Sequence, residues 1–238
     1  MNALTARDIL LASAIETGRQ PESRGPVEAV AERESVSSLS SANQLLTAFE
    51  ESLALKGERP RGKTLFAGVD LGTAYTVTAV VDSEGKPVAG ALTRSKSAVR
   101  DGLVLDYMTA ISLVRDQVKL LRAAGFPIRT AAAAYPPGTV GRNAQAVANV
   151  LYAADLEVMC LFDEPTAAAA VLGISEGAVV DIGGGTTGIS VIRDSEAIYT
   201  ADEATGGTHL DLVLAGHFKV GVEEAEMIKT DPTRQGEI

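Results

Sequence analysis

Two short stretches of the chain carry residues whose types and spacing suit phosphate and metal chemistry. One is Ala67-Gly68-Val69-Asp70-Leu71-Gly72-Thr73-Ala74, and the other is Val180-Asp181-Ile182-Gly183-Gly184-Gly185-Thr186-Thr187-Gly188. In each, a short apolar run ends in Asp, one aliphatic residue follows, and Gly and Thr turn the chain into a β-branched run. Such a turn presents backbone N–H groups and a hydroxyl with no side chain in the way, which suits a phosphate. A carboxylate just before the turn suits the water shell of a magnesium ion. One Gly-rich hairpin is weak evidence. Two copies, each with its Asp, argue for a duplicated, two-lobed nucleotide clamp.

The elements that must hold these turns follow from the patterning. Residues 65–71, 75–82 and 87–93 are runs rich in β-branched or apolar residues and predict three strands. Apolar residues at Tyr107, Ile111, Val114, Val118 and Leu121 predict a long amphipathic helix over 103–124, closed by Gly125. A strand at 128–135, a helix at 139–154, a strand at 157–162 and an Ala-rich helix at 164–172 complete a β-β-β-α-β-α-β-α unit. The same order restarts at 178–182, 187–193 and 197–201, followed by helices at 208–218 and 223–229. The sequence given reaches Ile238 before the later elements of this second unit. The expected fold is therefore α/β, a duplicated βββαβαβα unit with its second lobe incomplete. The expected divisions are an arm over 1–62, a first lobe over 63–175 and a partial second lobe over 176–238.

Composition narrows the class. A formal net charge of −10 argues against nucleic acid as main partner, because phosphate backbones need clustered Lys and Arg. No leader-type opening and no run of about eighteen apolar residues is evident, so a cytosolic protein is expected. Cys160 stands alone in a strand-like run and is expected as a small core residue. Residues 18–41 are rich in Glu, Arg, Ser, Gly and Pro and predict a linker. Residues 1–17 and, more cleanly, 39–55 (Leu39, Ala42, Leu46, Phe49, Leu53) have helical apolar spacing. The second stretch is expected to pack on the body, with docking to a partner or shell protein as the alternative. Residues 57–62 separate this arm from the body. His209 and His217, on the predicted helix 208–218, are expected as ordinary surface or core histidines rather than ligands.

The joint pattern resembles the superfamily of actin, sugar kinases and the seventy-kilodalton heat-shock ATPases, an actin-like ATPase fold of duplicated ribonuclease-H-like units. The resemblance covers about residues 65–228. It rests on Gly68-Val69-Asp70-Leu71-Gly72-Thr73, Asp163-Glu164-Pro165-Thr166-Ala167-Ala168-Ala169, Asp181-Ile182-Gly183-Gly184-Gly185-Thr186 and Gly206-Gly207 in that order. More narrowly, Val99-Arg100-Asp101-Gly102, Pro136-Pro137-Gly138-Thr139 and the run from Thr200 to Thr208 are similar to the chaperone-like family of ethanolamine-utilisation operons.

The resemblance implies ATP with magnesium. Gly72, Thr73 and Ala74 would cradle the terminal phosphates from the first lobe, and Gly184, Gly185, Thr186 and Thr187 from the second. Asp70 and Asp181 would position magnesium through waters. Glu164 would help order the metal and the attacking water, and Gly206 and Gly207 would let the backbone pass close to ribose and phosphates. Three departures weaken this transfer: Gly188 stands where the chaperones place another Asp, Lys96 is the one candidate for their phosphate-contacting lysine, and the late Gly-Gly adenosine turn lies outside the sequence given.

The expected function is a chaperone-like, ATP-binding and slowly hydrolysing protein of ethanolamine utilisation. It would help reactivate an enzyme client or assemble a bacterial microcompartment, with a client enzyme or shell protein as partner. The alternative is a non-enzymatic scaffold of the same fold that docks a partner through its N-terminal arm. An actin-like filament protein is disfavoured by length, and a sugar kinase by the lack of a sugar-gripping segment.

Overall fold

The computed structural model describes residues 31–56, 64–95, 98–100, 102–137 and 141–238. Small and β-branched residues carry β1 (Leu65–Leu71), β2 (Tyr75–Asp82) and β3 (Pro87–Arg94), which pair antiparallel in chain order. Strand β6 (Thr130–Tyr135) joins β1 in parallel, and β7 (Glu157–Asp163) joins β6 in parallel. The sheet order is therefore β3-β2-β1-β6-β7. Parallel neighbours require long crossovers, and α2 (Tyr107–Ala123) and α3 (Arg142–Ala153) provide them. Val114, Val118 and Leu121 of α2 and Val147, Val150 and Leu151 of α3 are buried with Val69 and Val80 of the sheet. Val, Leu and Ala fill this core, as the absence of Trp requires.

Two boundaries differ most from the sequence expectation. The helix predicted over 103–124 begins only at Tyr107, because Asp106 caps it by accepting from the Thr109 N–H at 3.0 Å. Ahead of it, β4 (Val99–Arg100) and β5 (Leu103–Val104) form a two-stranded hairpin turned at Gly102, whose φ is +74°. The second difference is α1 (Ala31–Ser52), which begins inside the predicted linker, eight residues ahead of the predicted helix. Its sequence contains no Gly or Pro, so nothing stops the helix from propagating past its docked half. That half packs on the outer face of the sheet through Phe49 and Leu53 against Val77, Ala79, Tyr75 and Leu92. The body-packing expectation for 39–55 therefore holds. The expectations for 1–17 and 57–62, and the Lys96 candidate, lie outside the described residues.

The second lobe begins as the first does. Strands β8 (Gly177–Ile182), β9 (Thr187–Arg193) and β10 (Glu196–Glu203) form an antiparallel sheet. One face rests on α4 (Glu164–Val171), where Ala168 and Ala169 bury against Val179 and Ile192. Val180, Ile182 and Tyr199 are each about half exposed on this sheet. Helices α5 (Gly207–Phe218) and α6 (Val222–Thr230) follow, then a 3-10 helix over Pro232–Glu237. Among the described residues no helix is long and apolar enough to cross a membrane. Cys160, expected in the core, is only half-buried, because β7 lies at the sheet edge.

Candidate functional site

The two Gly–Thr turns face each other across a cleft. Asp70, Leu71, Gly72, Thr73, Ala74, Glu164, Asp181 and Gly183 to Thr186 line it, together with Tyr75, Gly102, Pro136 and Ile182. About 40 Å³ of the cleft admits a water-sized sphere, enough for roughly three waters or a small hydrated group. A larger hollow of about 700 Å³ lies elsewhere, by Arg122 and Tyr152. The Arg122 guanidinium there already donates to the carbonyls of Ile128 and Asp155, and that hollow offers no comparable donor set.

Each turn is held from behind by its own lobe. In the first, the buried Ser95 hydroxyl donates to the Gly72 carbonyl at 2.6 Å, and its N–H donates to the Ala74 carbonyl at 3.0 Å. Ser95 also meets the Thr76 hydroxyl at 3.1 Å. Gln117 of α2 continues this network by donating to the Thr76 carbonyl and the Thr93 hydroxyl and accepting from Thr78. In the second turn the Gly183 N–H donates to the Thr186 carbonyl at 2.9 Å, which closes the loop. Among the described residues, the amides of Gly72, Thr73, Gly184 and Gly185 engage no backbone carbonyl, so they remain available to an anion.

The turns also touch. A Cβ on Gly184 would lie 2.9 Å from the Ala74 Cβ and 3.1 Å from the Ala74 nitrogen. Only a residue without a side chain lets the two turns approach this closely. Arg94 of β3, which lies over the Tyr75 ring, reaches Glu226 of α6 at 3.3 Å, a second and more exposed link between the lobes.

Carboxylates form the floor. Asp70, at the end of β1, is 1% exposed, and neither of its oxygens has a hydrogen-bond partner. Burial, then the charge of Asp181, pushes its carboxyl well above the usual range. Asp181 holds the equivalent place in β8 and is also buried. Glu164 opens α4 just after Asp163, whose side chain caps that helix on the Thr166 N–H at 3.0 Å. Burial first, and then Asp70, Asp181, Asp202 and Asp163, raise the Glu164 carboxyl strongly. Asp70, Asp181 and Glu164 bring three carboxylates to the cleft; among the described residues they do not form a direct metal-holding cluster, so they suit a hard cation reached through its water shell. The two orphaned oxygens of Asp70 fit a magnesium ion held through its waters.

Most residues picked from the sequence meet in this cleft: Asp70, Asp181, Glu164, Gly72, Thr73, Ala74, Gly184, Gly185 and Thr186. Thr187, Gly206 and Gly207 sit behind it. The Thr187 hydroxyl is committed to the Thr205 carbonyl at 2.7 Å. Gly206 abuts the back of the second turn, where a Cβ would lie 2.6 Å from the Gly183 carbonyl oxygen. The next amides, Gly207 and Thr208, donate to the Gly183 and Gly184 carbonyls, each at 2.8 Å. Lys229 of α6 braces this join by donating to the Gly207 carbonyl at 3.0 Å and pairing with the buried Asp211 at 2.6 Å. His209 is no cleft ligand: its Nδ1 accepts from the Gly206 N–H at 3.1 Å at the start of α5.

Sequence reasoning missed Ser95, Gln117 and Asp202. Asp202 pairs with Gly188 across β9 and β10. Its carboxyl is raised to about 6, first by burial and then by the charges of Glu203 and Asp181, against the Thr186 hydrogen bond that lowers it. Its place in the run preceding Gly206-Gly207 was the one available signal.

Comparisons with known proteins show the family and the fold. The MreB/Mbl protein family matches residues 89–232. The ethanolamine utilization protein EutJ of Escherichia coli (strain K12) is 46% identical over 166 residues, covering 69% of this chain and 58% of that protein. The chain thus spans less than two thirds of that relative's length. The crystal structure of EutJ from Carboxydothermus hydrogenoformans superposes with a TM-score of 0.74 at 50% identity, over 84% of this chain and 73% of that one. MreB5 of Spiroplasma citri bound to AMPPNP superposes with a TM-score of 0.59 at 21% identity, over 71% of this chain and 62% of that one, a likeness of fold.

Proposed function

From a chain that belongs to the EutJ family and has the actin-like ATPase fold of MreB, we propose a magnesium-dependent ATP-binding protein of ethanolamine utilisation. The observation that carries this reading is the pairing of two open-amide turns in contact at Ala74 and Gly184 over the orphaned carboxylate of Asp70. The turns present N–H donors to the terminal phosphates, and Asp70 and Asp181 hold the water shell of the metal. Magnesium, when bound, would neutralise phosphate charge that three carboxylates would otherwise repel. Glu164, held at the floor by the α4 cap, is placed to accept a hydrogen bond from a water near the phosphates. Slow hydrolysis is the activity proposed for this arrangement.

The client side is proposed on family membership: nucleotide-driven help to an enzyme of ethanolamine catabolism, or to assembly of the compartment that houses it. The scaffold alternative loses some ground, since the apolar side of α1 at Phe49 and Leu53 is spent on the sheet.

Titration with a fluorescent ATP analogue, with and without magnesium, tests the proposal. Wild type is expected to bind saturably, and Asp70→Ala and Asp181→Ala to lose the magnesium dependence. No saturable binding by wild type under either condition refutes it.

A further inference from the structure

A turn that offers amides to an anion must also stop its peptides from rotating. A trans peptide is a rigid plane whose C=O and N–H point in opposite directions. Whatever grips the carbonyl from behind therefore aims the following amide forward. In the second turn the grip is made by backbone. The Gly207 and Thr208 amides, at the start of α5, hold the Gly183 and Gly184 carbonyls at 2.8 Å each. The amides of those two peptides belong to Gly184 and Gly185, both in the cleft lining.

The first turn is gripped by a side chain. Its Gly72 carbonyl accepts from the Ser95 hydroxyl at 2.6 Å. The amide of that peptide is Thr73's, which engages no backbone carbonyl and belongs to a residue lining the cleft. Ser95 is fully buried and is not part of the lining, so it draws the carbonyl away from the cleft. Gly72 has no Cβ to resist rotation of the peptide, which leaves the hydroxyl to set its plane.

The network behind Ser95 fixes where its proton goes. A carbonyl only accepts, so the single Ser95 hydroxyl proton is given to Gly72. The Thr76 hydroxyl, 3.1 Å away, must then donate to the Ser95 oxygen. Gln117 holds Thr76 in turn by donating to its carbonyl at 2.8 Å. Thr76, Ser95 and Gln117 are all buried, and a satisfied buried network of this kind rigidifies what it holds.

We propose that Ser95 is a positioning residue whose hydroxyl turns the Gly72–Thr73 peptide so that the Thr73 amide faces the terminal phosphate. This rests on the magnesium–nucleotide reading of the cleft. Ser95 does for Thr73 what the start of α5 does for Gly184 and Gly185. The lobes reach the same arrangement by different means, and only the serine grip can be removed by changing a side chain.

The test follows amide resonances of the full chain by NMR during titration with magnesium and ATP, alongside affinity for a fluorescent ATP analogue. In wild type the Thr73, Gly184 and Gly185 amide protons are expected to move downfield together. Ser95→Ala is expected to weaken affinity about tenfold, the size of one hydrogen bond to a charged acceptor. At saturation it should lose the Thr73 shift while keeping those of Gly184 and Gly185. Ser95→Thr, which keeps the hydroxyl, is expected to restore both the shift and the affinity. Ser95→Cys, a weak donor of similar volume, should fall between and serves if the alanine variant unfolds. A Thr73 shift that survives Ser95→Ala, or shifts lost equally from both turns, overturns the proposal. Wild type in which only Gly184 and Gly185 respond also overturns it and leaves the nucleotide reading standing. Wild type in which neither turn responds overturns that reading, and this inference with it.

Discussion

Gly206→Ala isolates the join between α5 and the second turn. Its φ is −139°, a value open to any residue, so a substitution there adds bulk without backbone strain. The new Cβ would meet the Gly183 oxygen at 2.6 Å and the Gly184 carbon and oxygen at 2.8 Å, all backbone atoms that cannot rotate aside. The start of α5 must therefore retreat by roughly 0.8 Å to reach ordinary contact, as in an overpacked core. That retreat stretches the Gly207 and Thr208 hydrogen bonds, both 2.8 Å long. Overpacking costs about 1–3 kcal/mol, and two weakened backbone bonds cost about 1 kcal/mol more between them. A loss of about 2–4 kcal/mol is expected, a large share of a typical domain's stability. Gly216 lies in the same helix with nothing within 4 Å of its Cβ position. There the same change should stabilise by about 0.5–1 kcal/mol through helix propensity alone. Urea denaturation of both variants reads the two signs side by side. A Gly206→Ala protein as stable as wild type, with unchanged nucleotide affinity, would show that the join does not set the turn.

The cleft floor gives a pH prediction. The folded-state value of Asp70 lies above its unfolded value, so its contribution is full below about pH 4 and is lost as pH rises through the folded value. Metal-free protein should therefore lose thermal stability from acid toward neutral pH, magnesium should restore it, and Asp70→Asn should flatten the slope and abolish the magnesium effect. Equal slopes for wild type and Asp70→Asn, measured by melting temperature against pH, would contradict this. At the arm, Phe49 sits over Gly90, whose Cβ position is 2.5 Å from the ring. Phe49→Ala should cost about 3 kcal/mol and release α1, read as faster amide exchange over that helix with nucleotide binding unchanged.

The turns were legible because their chemistry is local. Asp, Gly and Thr must occur at fixed steps, and the second copy confirms the first. Strand patterning likewise placed β1 and β8 close to their observed bounds. The 99–104 hairpin was not legible, because Leu103, Val104 and Leu105 extend the apolar pattern of α2 backwards, and only the Asp106 cap divides them. Ser95, Gln117 and Asp202 escaped because their meaning lies in pairings distant along the chain, such as Gln117 with the Thr76 carbonyl and Asp202 with Gly188. Thr187 and Gly206 carried the right signature, yet the fold uses them as the backing of the cleft rather than its lining. A pattern records that a small or hydroxylated residue is needed, not which side of a loop needs it.

Helix α4 belongs to the first lobe by chain order and to the second by packing. Its first residue, Glu164, is delivered by β7, while Ala168 and Ala169 lie beneath β8 and β9. Thr166 adds a hydroxyl contact to Ser190 at 2.9 Å. The helix is thus an axle seated in both halves. Any rotation of the β8–β10 sheet relative to β1 swings Glu164 against Asp70, so the angle between the lobes is also a setting of the distance between these carboxylates.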